Sequence, residues 1–188
     1  MNSAKRILVI TGVPGTGKTS FSGLLKKRLG DAEVIHVTQV VNSKRLFSSV
    51  EDGAKIVKMD ALKRELGRLI SKSKKGTVIL ESHLLCDMKI KGAMVLVLRE
   101  HLDTMRKRLE ARGYSKEKMK GNIVSEATDY CGIHAEKHYD YVFESFCQDK
   151  QLMDNALKIL AGKKPKNRSI DLIPEFDRFL RTNKELAI

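Results

Sequence analysis

An eight-residue glycine-rich segment constrains this chain more than any other feature. The segment Gly12-Val13-Pro14-Gly15-Thr16-Gly17-Lys18-Thr19 has the pattern G-x-x-x-x-G-K-[ST]. It lies between an apolar run, Arg6 to Thr11, and a helical pattern over Thr19 to Leu29. In this context the glycines let successive backbone N–H groups point at an anion, and the helix N-terminus adds the positive end of its dipole. The segment therefore predicts a phosphate-binding loop.

Two side chains of this loop have specific expected roles. Lys18 is expected to bridge the β- and γ-phosphates of a nucleoside triphosphate, and Thr19 is expected to give its hydroxyl to Mg²⁺. The cofactors implied are therefore ATP and Mg²⁺. The remaining nucleotide contacts are expected from Gly12, Pro14, Gly15, Thr16, Gly17 and Ser20.

The rest of the chain alternates between short apolar runs and helical patterns. Because the apolar runs are continuous rather than alternating, they predict a parallel sheet covered by helices on both faces, an α/β doubly wound fold. The predicted strands are Arg6–Thr11, Glu33–Val37, Thr77–Leu80, Ala93–Leu98 and Tyr139–Phe143. The predicted helices are Thr19–Leu29, Gln39–Phe47, Ile56–Ser71, His101–Ala111, Lys116–Lys137 and Gln151–Leu160.

A change of composition marks the end of this alternating region. Residues 1–161 are predicted to form one domain, and residues 162–188 a linker and a C-terminal amphipathic helix. The linker is the polar stretch from Gly162 to Arg168. Pro174 opens the last helix, whose apolar residues Ile173, Phe176 and Leu180 are expected to pack on the core.

The charge of the chain points to anionic partners. Lysine and arginine number 36 against 23 acidic residues, a net charge of +13, which favours RNA or nucleotides as ligands. A solvated basic surface without a partner is the alternative. No apolar run approaches the ~20 residues of a membrane-spanning helix, so a cytoplasmic protein without membrane association is expected. Three cysteines without a C-x-x-C pair predict reduced thiols.

Several motifs together carry a family resemblance. The proline inside the loop resembles nucleoside monophosphate kinases. Glu81-Ser82-His83 after a predicted strand, Arg108-Leu109-Glu110-Ala111-Arg112-Gly113-Tyr114 and Asn122-Ile123 then resemble the adenylate kinase isoenzyme 6 family over roughly residues 5 to 160. The resemblance implies a P-loop NTPase with a nucleoside monophosphate kinase-like, five-stranded parallel sheet in the order 2-3-1-4-5. It also implies a monophosphate-binding segment near residues 38–55 and a short lid near residues 112–116.

The same resemblance implies an activity and partners. The expected activity is phosphoryl transfer from Mg-ATP to AMP, to water, or to both. The expected cellular role is maturation of the small ribosomal subunit, with ribosomal RNA and a small-subunit protein of the S11 type as partners.

Four further residues are candidates for catalysis. Glu81 ends a strand beside the loop, where an acid can hold the Mg²⁺ shell or orient a water molecule. In the family that the sequence resembles, an acidic residue and a histidine two residues later are tied to ATP hydrolysis, and Glu81 and His83 match this pair. Arg108 and Arg112 are one helical turn apart and can reach the same side, where one would clamp phosphates and the other, Arg108 by resemblance, would cover adenine.

The acceptor site and two histidines leave alternatives open. Lys44 and Arg45 are the basic residues available for the acceptor phosphate, later than in similar kinases, which would favour ATP hydrolysis. A metabolic kinase for another nucleotide or a small hydroxyl substrate, and a binding module without catalysis, are the alternatives. His134 and His138 have i, i+4 spacing but no evident third ligand, which disfavours zinc.

Overall fold

The computed structural model describes residues 5–51, 54–167 and 169–186. Its main sheet has five parallel strands in the order β2-β5-β1-β6-β7, which confirms the predicted order of the five central strands. The strands of this sheet are β1 Arg6–Thr11, β2 Ala32–His36, β5 Thr77–Glu81, β6 Ala93–Arg99 and β7 Val142–Phe146, and β3 Phe47–Glu51 and β4 Ala54–Val57 form a separate antiparallel pair.

Eight α-helices are found in the described ranges, together with two short 3-10 helices, at His83–Asp87 and Lys184–Leu186. The α-helices are α1 Lys18–Leu29, α2 Val37–Ser43, α3 Met59–Lys72, α4 Leu102–Glu110, α5 Lys116–Ala127, α6 Tyr130–Glu136, α7 Leu152–Leu160 and α8 Ile173–Thr182. Residues 52 and 53 of the expected monophosphate-binding segment and Arg168 of the expected linker lie outside the described residues.

The central strands are buried on both faces, as their continuous apolar runs predict. Leu8, Val9 and Ile10 of β1 have no exposed surface. Leu8 and Ile10 pack with Phe21 and Leu25 of α1 and with α7, whereas Val9 packs with residues of α3, α4, α5 and α6 on the other face. Helices therefore cover both faces, and the carboxyl ends of all five parallel strands meet at one edge, where this architecture binds ligands.

The segment after β2 differs from its predicted helices. The predicted helix Gln39–Phe47 is instead α2 followed by β3, and the predicted helix Ile56–Ser71 begins only at Met59 because Ala54–Val57 is a strand. Arg45 has a positive φ of 50°, which ends the helical geometry, and the Leu46 N–H then bonds the Val41 carbonyl. A β-hairpin thus projects from the expected monophosphate-binding segment.

The predicted helix Lys116–Lys137 is broken into α5 and α6. Asp129 adopts the left-handed conformation, with φ 53°, and its carboxylate accepts a hydrogen bond from the Gly132 N–H at the start of α6. The predicted helix therefore spans a residue that caps a new helix instead of continuing the old one.

The last strand begins and ends three residues later than the predicted Tyr139–Phe143. Glu144 and Ser145 are polar, which hides the strand from a search for apolar runs, but both are buried. An ion pair with Arg99 of β6, at 3.0 Å, offsets the cost of burying the Glu144 carboxylate.

The C-terminal helix α8 packs on the main domain. Phe176 and Leu180 contact the core as expected, and Phe179 is the most buried residue of the helix, whereas Ile173 is exposed. Glu175 accepts a hydrogen bond from the Leu102 N–H at the start of α4 (2.6 Å). Within the described residues, no helix has the length and apolar character needed to cross a bilayer.

Candidate functional site

The phosphate-binding loop lies at the carboxyl edge of the sheet and is tightly packed from behind. Gly12 has φ 135°, and a Cβ there would be 2.3 Å from the Leu98 carbonyl oxygen. Gly17 has φ 93°, and a Cβ there would be 2.5 Å from the Cys147 sulfur. Only glycine fits both the backbone angles and these close approaches, which explains the residue type at these two motif positions.

Lys18 is folded into this loop. Its Nζ donates hydrogen bonds to the carbonyl oxygens of Gly12 (2.8 Å) and Val13 (2.9 Å), and the residue is only 9 % exposed. Burial lowers the pKa of Lys18, and nearby acidic groups including Glu81 oppose that effect. Phosphate oxygens bound in the loop would also favour the charged form of Lys18, as the acidic groups do. The loop therefore holds the Lys18 ammonium next to the expected position of the phosphates.

Three side chains converge at the mouth of the loop. The Thr19 hydroxyl lies 3.3 and 3.4 Å from the two carboxylate oxygens of Glu81. His36 Nδ1 lies 2.7 Å from Glu81 Oε1, and because an ionised carboxylate can only accept, Nδ1 carries the proton of this bond. A hydroxyl and a carboxylate side by side are hard oxygen donors of the kind Mg²⁺ prefers, so these residues fit the expected ion.

His36 is a site residue that sequence reasoning missed. It ends β2, and the parallel register places it directly beside Glu81 at the end of β5. A histidine and an acid at the carboxyl ends of adjacent strands would have been the sequence signal, but it is visible only once the strand order is known.

His83 borders both the loop and the space beside it. Burial, reinforced by the positive charge of Lys18, lowers the pKa of His83 to about 4. The residue is exposed to solvent and lines both cavities, so its removal from water is only partial. The imidazole is therefore neutral at physiological pH and can accept a hydrogen bond from water or a hydroxyl group.

The two candidate arginines are placed differently. Arg112 lines the cavity that contains the loop. Arg108 approaches the loop backbone, where its Nη1 donates to the Gly15 carbonyl (2.9 Å) and pairs with Glu100 (2.7 Å). Glu100, which sequence reasoning also missed, is fully buried and fixes Arg108 against the loop.

Two cavities adjoin each other at this edge of the sheet. The first, about 340 Å³, contains the loop, and the second, about 500 Å³, extends beneath α2, the hairpin, α5 and α6. They share four lining residues, Pro14, Thr38, His83 and Tyr114. Of the predicted site residues, the first cavity brings together Pro14, Gly15, Gly17, Lys18, Thr19, Ser20, Glu81, His83 and Arg112, whereas Gly12, Thr16 and Arg108 support it from behind.

The basic residues of the second cavity differ from those predicted for the acceptor. Lys44 and Arg45 are exposed and do not line it. Lys55, from the hairpin, and Lys118, from α5, line it instead. The expected monophosphate-binding segment included Lys55, but no element was predicted for residues 48–55 and Lys55 was not singled out as a phosphate ligand.

The remaining candidates have structural partners. Cys86 and Cys131 are buried, and Cys147 is half-buried behind Gly17. His134 pairs with Asp87 (2.6 Å). Across the described ranges, no group of three or more histidine, cysteine or acidic residues is arranged to hold a metal ion. A separate cavity of about 830 Å³ lies between β7, α7 and residues 165, 166 and 169–171, and none of the loop residues line it.

Comparison with solved structures supports the fold. The chain resembles a shikimate kinase from Acinetobacter baumannii with a TM-score of 0.59 and 16 % identity, over 87 % of this chain and 97 % of that one. A protein from Thermus thermophilus, TT1252, gives a TM-score of 0.55 at 21 % identity, over 85 % of this chain and 98 % of that one. At these identities the likeness concerns the fold alone.

Comparison with known sequences supports a family. Residues 8–129 match the family described as "AAA domain". A protein of Methanosarcina barkeri named "Putative adenylate kinase" is 34 % identical over 73 % of this chain and 75 % of its own length. A protein of the same name from Thermococcus onnurineus is 31 % identical over 93 % of this chain and 96 % of its own. The chain with this loop and sheet therefore belongs to the adenylate kinase-like family of P-loop proteins.

Proposed function

We propose that this protein transfers the γ-phosphoryl group of Mg-ATP to AMP. The observation that carries the proposal is the adjoining pair of cavities: one contains the phosphate loop, the other is lined by Lys55 and Lys118, and His83 and Tyr114 border both. Phosphoryl transfer depends on placing donor and acceptor oxygens in line. Two cavities that adjoin at the loop support such a placement, and relatives named "Putative adenylate kinase" support AMP as the acceptor.

The residues of the first cavity bind different parts of Mg-ATP. Backbone N–H groups of the loop and the N-terminus of α1 bind the phosphate oxygens, and Lys18 and Arg112 stabilise the charge on the transferred group. Thr19 and Glu81 would hold Mg²⁺, which neutralises phosphate charge when bound. Arg108, fixed by Glu100, supports the loop at Gly15 next to the donor nucleotide.

Water is a second acceptor in this proposal. His83 is neutral and lies between the cavities, where it can orient a water molecule toward the γ-phosphate. ATP hydrolysis is therefore expected as a slower activity when AMP is absent. The exposed positions of Lys44 and Arg45 leave Lys55 and Lys118 to hold the acceptor phosphate.

A role in maturation of the small ribosomal subunit is part of the proposal and rests on the family resemblance and the net charge of +13. Binding to ribosomal RNA should weaken steeply as salt rises, because each phosphate contact releases counterions. Filter binding of a small-subunit RNA fragment at increasing salt measures this. RNA binding that is absent at low salt, or insensitive to salt, would argue against the role.

The direct test of the activity is ADP formation with different acceptors. ATP is incubated with the protein alone and with AMP, CMP, UMP or shikimate, and ADP is measured by a coupled assay. We expect AMP to raise the rate at least ~10-fold above the rate with water, and Lys18→Met to lower it ~100-fold or more. Lys26→Met, an exposed lysine on the same helix, is the matched control.

A faster reaction with one of the other acceptors would replace AMP by that substrate and support the metabolic kinase alternative. Tight ATP binding without turnover under any condition would support a binding module. Either result would overturn the proposed activity.

A further inference from the structure

The second cavity has an uneven distribution of polar groups. Its described lining includes two lysines, Lys55 and Lys118, and one acidic residue, Asp87. The lysines suit the phosphate of an acceptor. A single carboxylate in the same cavity suits a different part of that ligand, one that donates hydrogen bonds.

Asp87 is held in place from α6. Its Oδ1 accepts a hydrogen bond from His134 Nδ1 (2.6 Å) and a longer one from the Tyr130 hydroxyl (3.4 Å). The rings of Tyr130 and His134 are stacked, with centroids 3.9 Å apart, so the two donors support each other. Asp87 ends the 3-10 helix that begins at His83, and its orientation is therefore fixed relative to the loop.

The same carboxylate remains accessible from the cavity. The Asp87 side chain is 33 % exposed, and both bonds from α6 end on Oδ1. The exposed Tyr130 ring lines the cavity next to it and offers a flat apolar surface. A carboxylate beside an aromatic ring matches the edge and face of a base that carries an amino group.

We propose that Asp87 is a specificity-determining residue that accepts a hydrogen bond from the exocyclic amino group of the acceptor base. The inference rests on the proposed function, because it assigns the second cavity to a nucleoside monophosphate. It makes adenine the favoured base over hypoxanthine, which has an oxo group at the same position. An oxo group facing a carboxylate is repelled, and the N1–H of hypoxanthine can donate to the carboxylate only if the base shifts from the position that adenine takes.

The test compares AMP with IMP, which differ at that position. For the wild type we expect kcat/KM for AMP to exceed that for IMP by ~10-fold or more, and calorimetry to give the same order of affinities. Asp87→Asn can offer an N–H₂ group to the oxo oxygen, so the ratio should fall toward ~1 while KM for ATP stays unchanged. Asp140→Asn, an exposed aspartate that does not line the cavity, is the matched control.

A second variant tests the positioning by α6. His134→Asn removes the shorter of the two bonds to Asp87 and should raise KM for AMP several-fold with little effect on KM for ATP. If Asp87→Asn does not fold, His134→Asn and Asp87→Ser carry the same comparison.

The outcomes separate this inference from the proposed function. If the wild type phosphorylates AMP but Asp87→Asn keeps its AMP-to-IMP ratio and His134→Asn keeps its KM for AMP, the role of Asp87 is wrong and the function stands. If no monophosphate binds or is phosphorylated by the wild type, both are wrong. The inference is supported if the AMP-to-IMP ratio of kcat/KM falls in Asp87→Asn and stays at the wild-type value in Asp140→Asn.

Discussion

The chemistry of the site depends on a few side chains whose protonation is set by their surroundings. His83 is the clearest example, because burial and the charge of Lys18 lower its pKa to about 4. At pH 7 its neutral ring can accept a hydrogen bond from a ligand. Protonation of the ring would add a second positive charge next to that of Lys18. The folded protein therefore resists protonation of this residue.

This resistance predicts a pH-dependent loss of stability. The pKa of His83 in the folded protein lies below the ordinary value of 6.5, so the unfolded chain takes up the proton first, and the folded state loses stability as pH falls from 6.5 toward 4. In His83→Gln the loss of unfolding free energy between pH 7 and pH 4.5 should be smaller by ~1 kcal/mol, a reduced figure because cavity water screens the charge.

Urea denaturation of both proteins at the two pH values measures this difference. His138→Gln, which changes a histidine that does not line either cavity at the site, is the control. Equal losses in wild type and His83→Gln would mean that His83 titrates normally.

Residue types in the loop could be predicted from sequence, whereas their partners could not. The glycines and Lys18 follow from the motif, and the structure places them together. His36 and Glu100 have no motif of their own. Their roles arise from contacts with Glu81 and Arg108 across neighbouring elements, which only the fold brings about.

The elements behind the site are joined by a buried charge cluster. Arg99 at the end of β6 is 1 % exposed and pairs with Glu126 of α5 (3.0 Å), Asp129 (2.6 Å) and Glu144 of β7 (3.0 Å). Three carboxylates surround one guanidinium, so their full ionisation would leave excess negative charge in the interior. Burial and the neighbouring Asp129 raise the pKa of Glu144 to about 7, with Arg99 opposing.

Glu144 therefore makes stability fall with rising pH. Its pKa in the folded protein is above the ordinary 4.5, so the unfolded chain releases the proton first, and the folded state loses stability as pH rises from 4.5 through 7. In Glu144→Gln the loss of unfolding free energy between pH 5 and pH 8 should be smaller by on the order of 2 kcal/mol.

Chemical denaturation at pH 5 and pH 8 tests this expectation, with Glu136→Gln, an exposed acid of α6, as the matched control. An unchanged pH dependence in Glu144→Gln would show that another group of the cluster holds the proton.

The elements that sequence patterns missed are the β3–β4 hairpin and the break between α5 and α6. The pair Asp52-Gly53 between β3 and β4 is typical of hairpin turns, but no element was predicted for residues 48–55. The break at Asp129 depends on capping and on the charge cluster. By contrast, β1, β5 and β6 carry continuous apolar runs that are buried on both faces, so their type and approximate bounds were predictable.

At the scale of the whole molecule, the parallel sheet decides where the chemistry is. The carboxyl ends of β1, β2 and β5 bring the loop, His36 and Glu81 to one edge, and the connections after them build the two cavities. The strand order was predictable from the resemblance, and the position of the loop from the motif. The lining of the second cavity was not, because it combines the hairpin, the 3-10 helix and both halves of the broken helix.

The central claim is that the two cavities hold a donor and an acceptor nucleotide at the same time. The most direct measurement is calorimetric titration with a bisubstrate analogue in which two adenosines are joined by a chain of five phosphates, compared with ATP under the same conditions. Because one molecule would fill both cavities, we predict a 1:1 complex with a dissociation constant ~100-fold or more below that for ATP. An affinity no higher than that for ATP would contradict the claim.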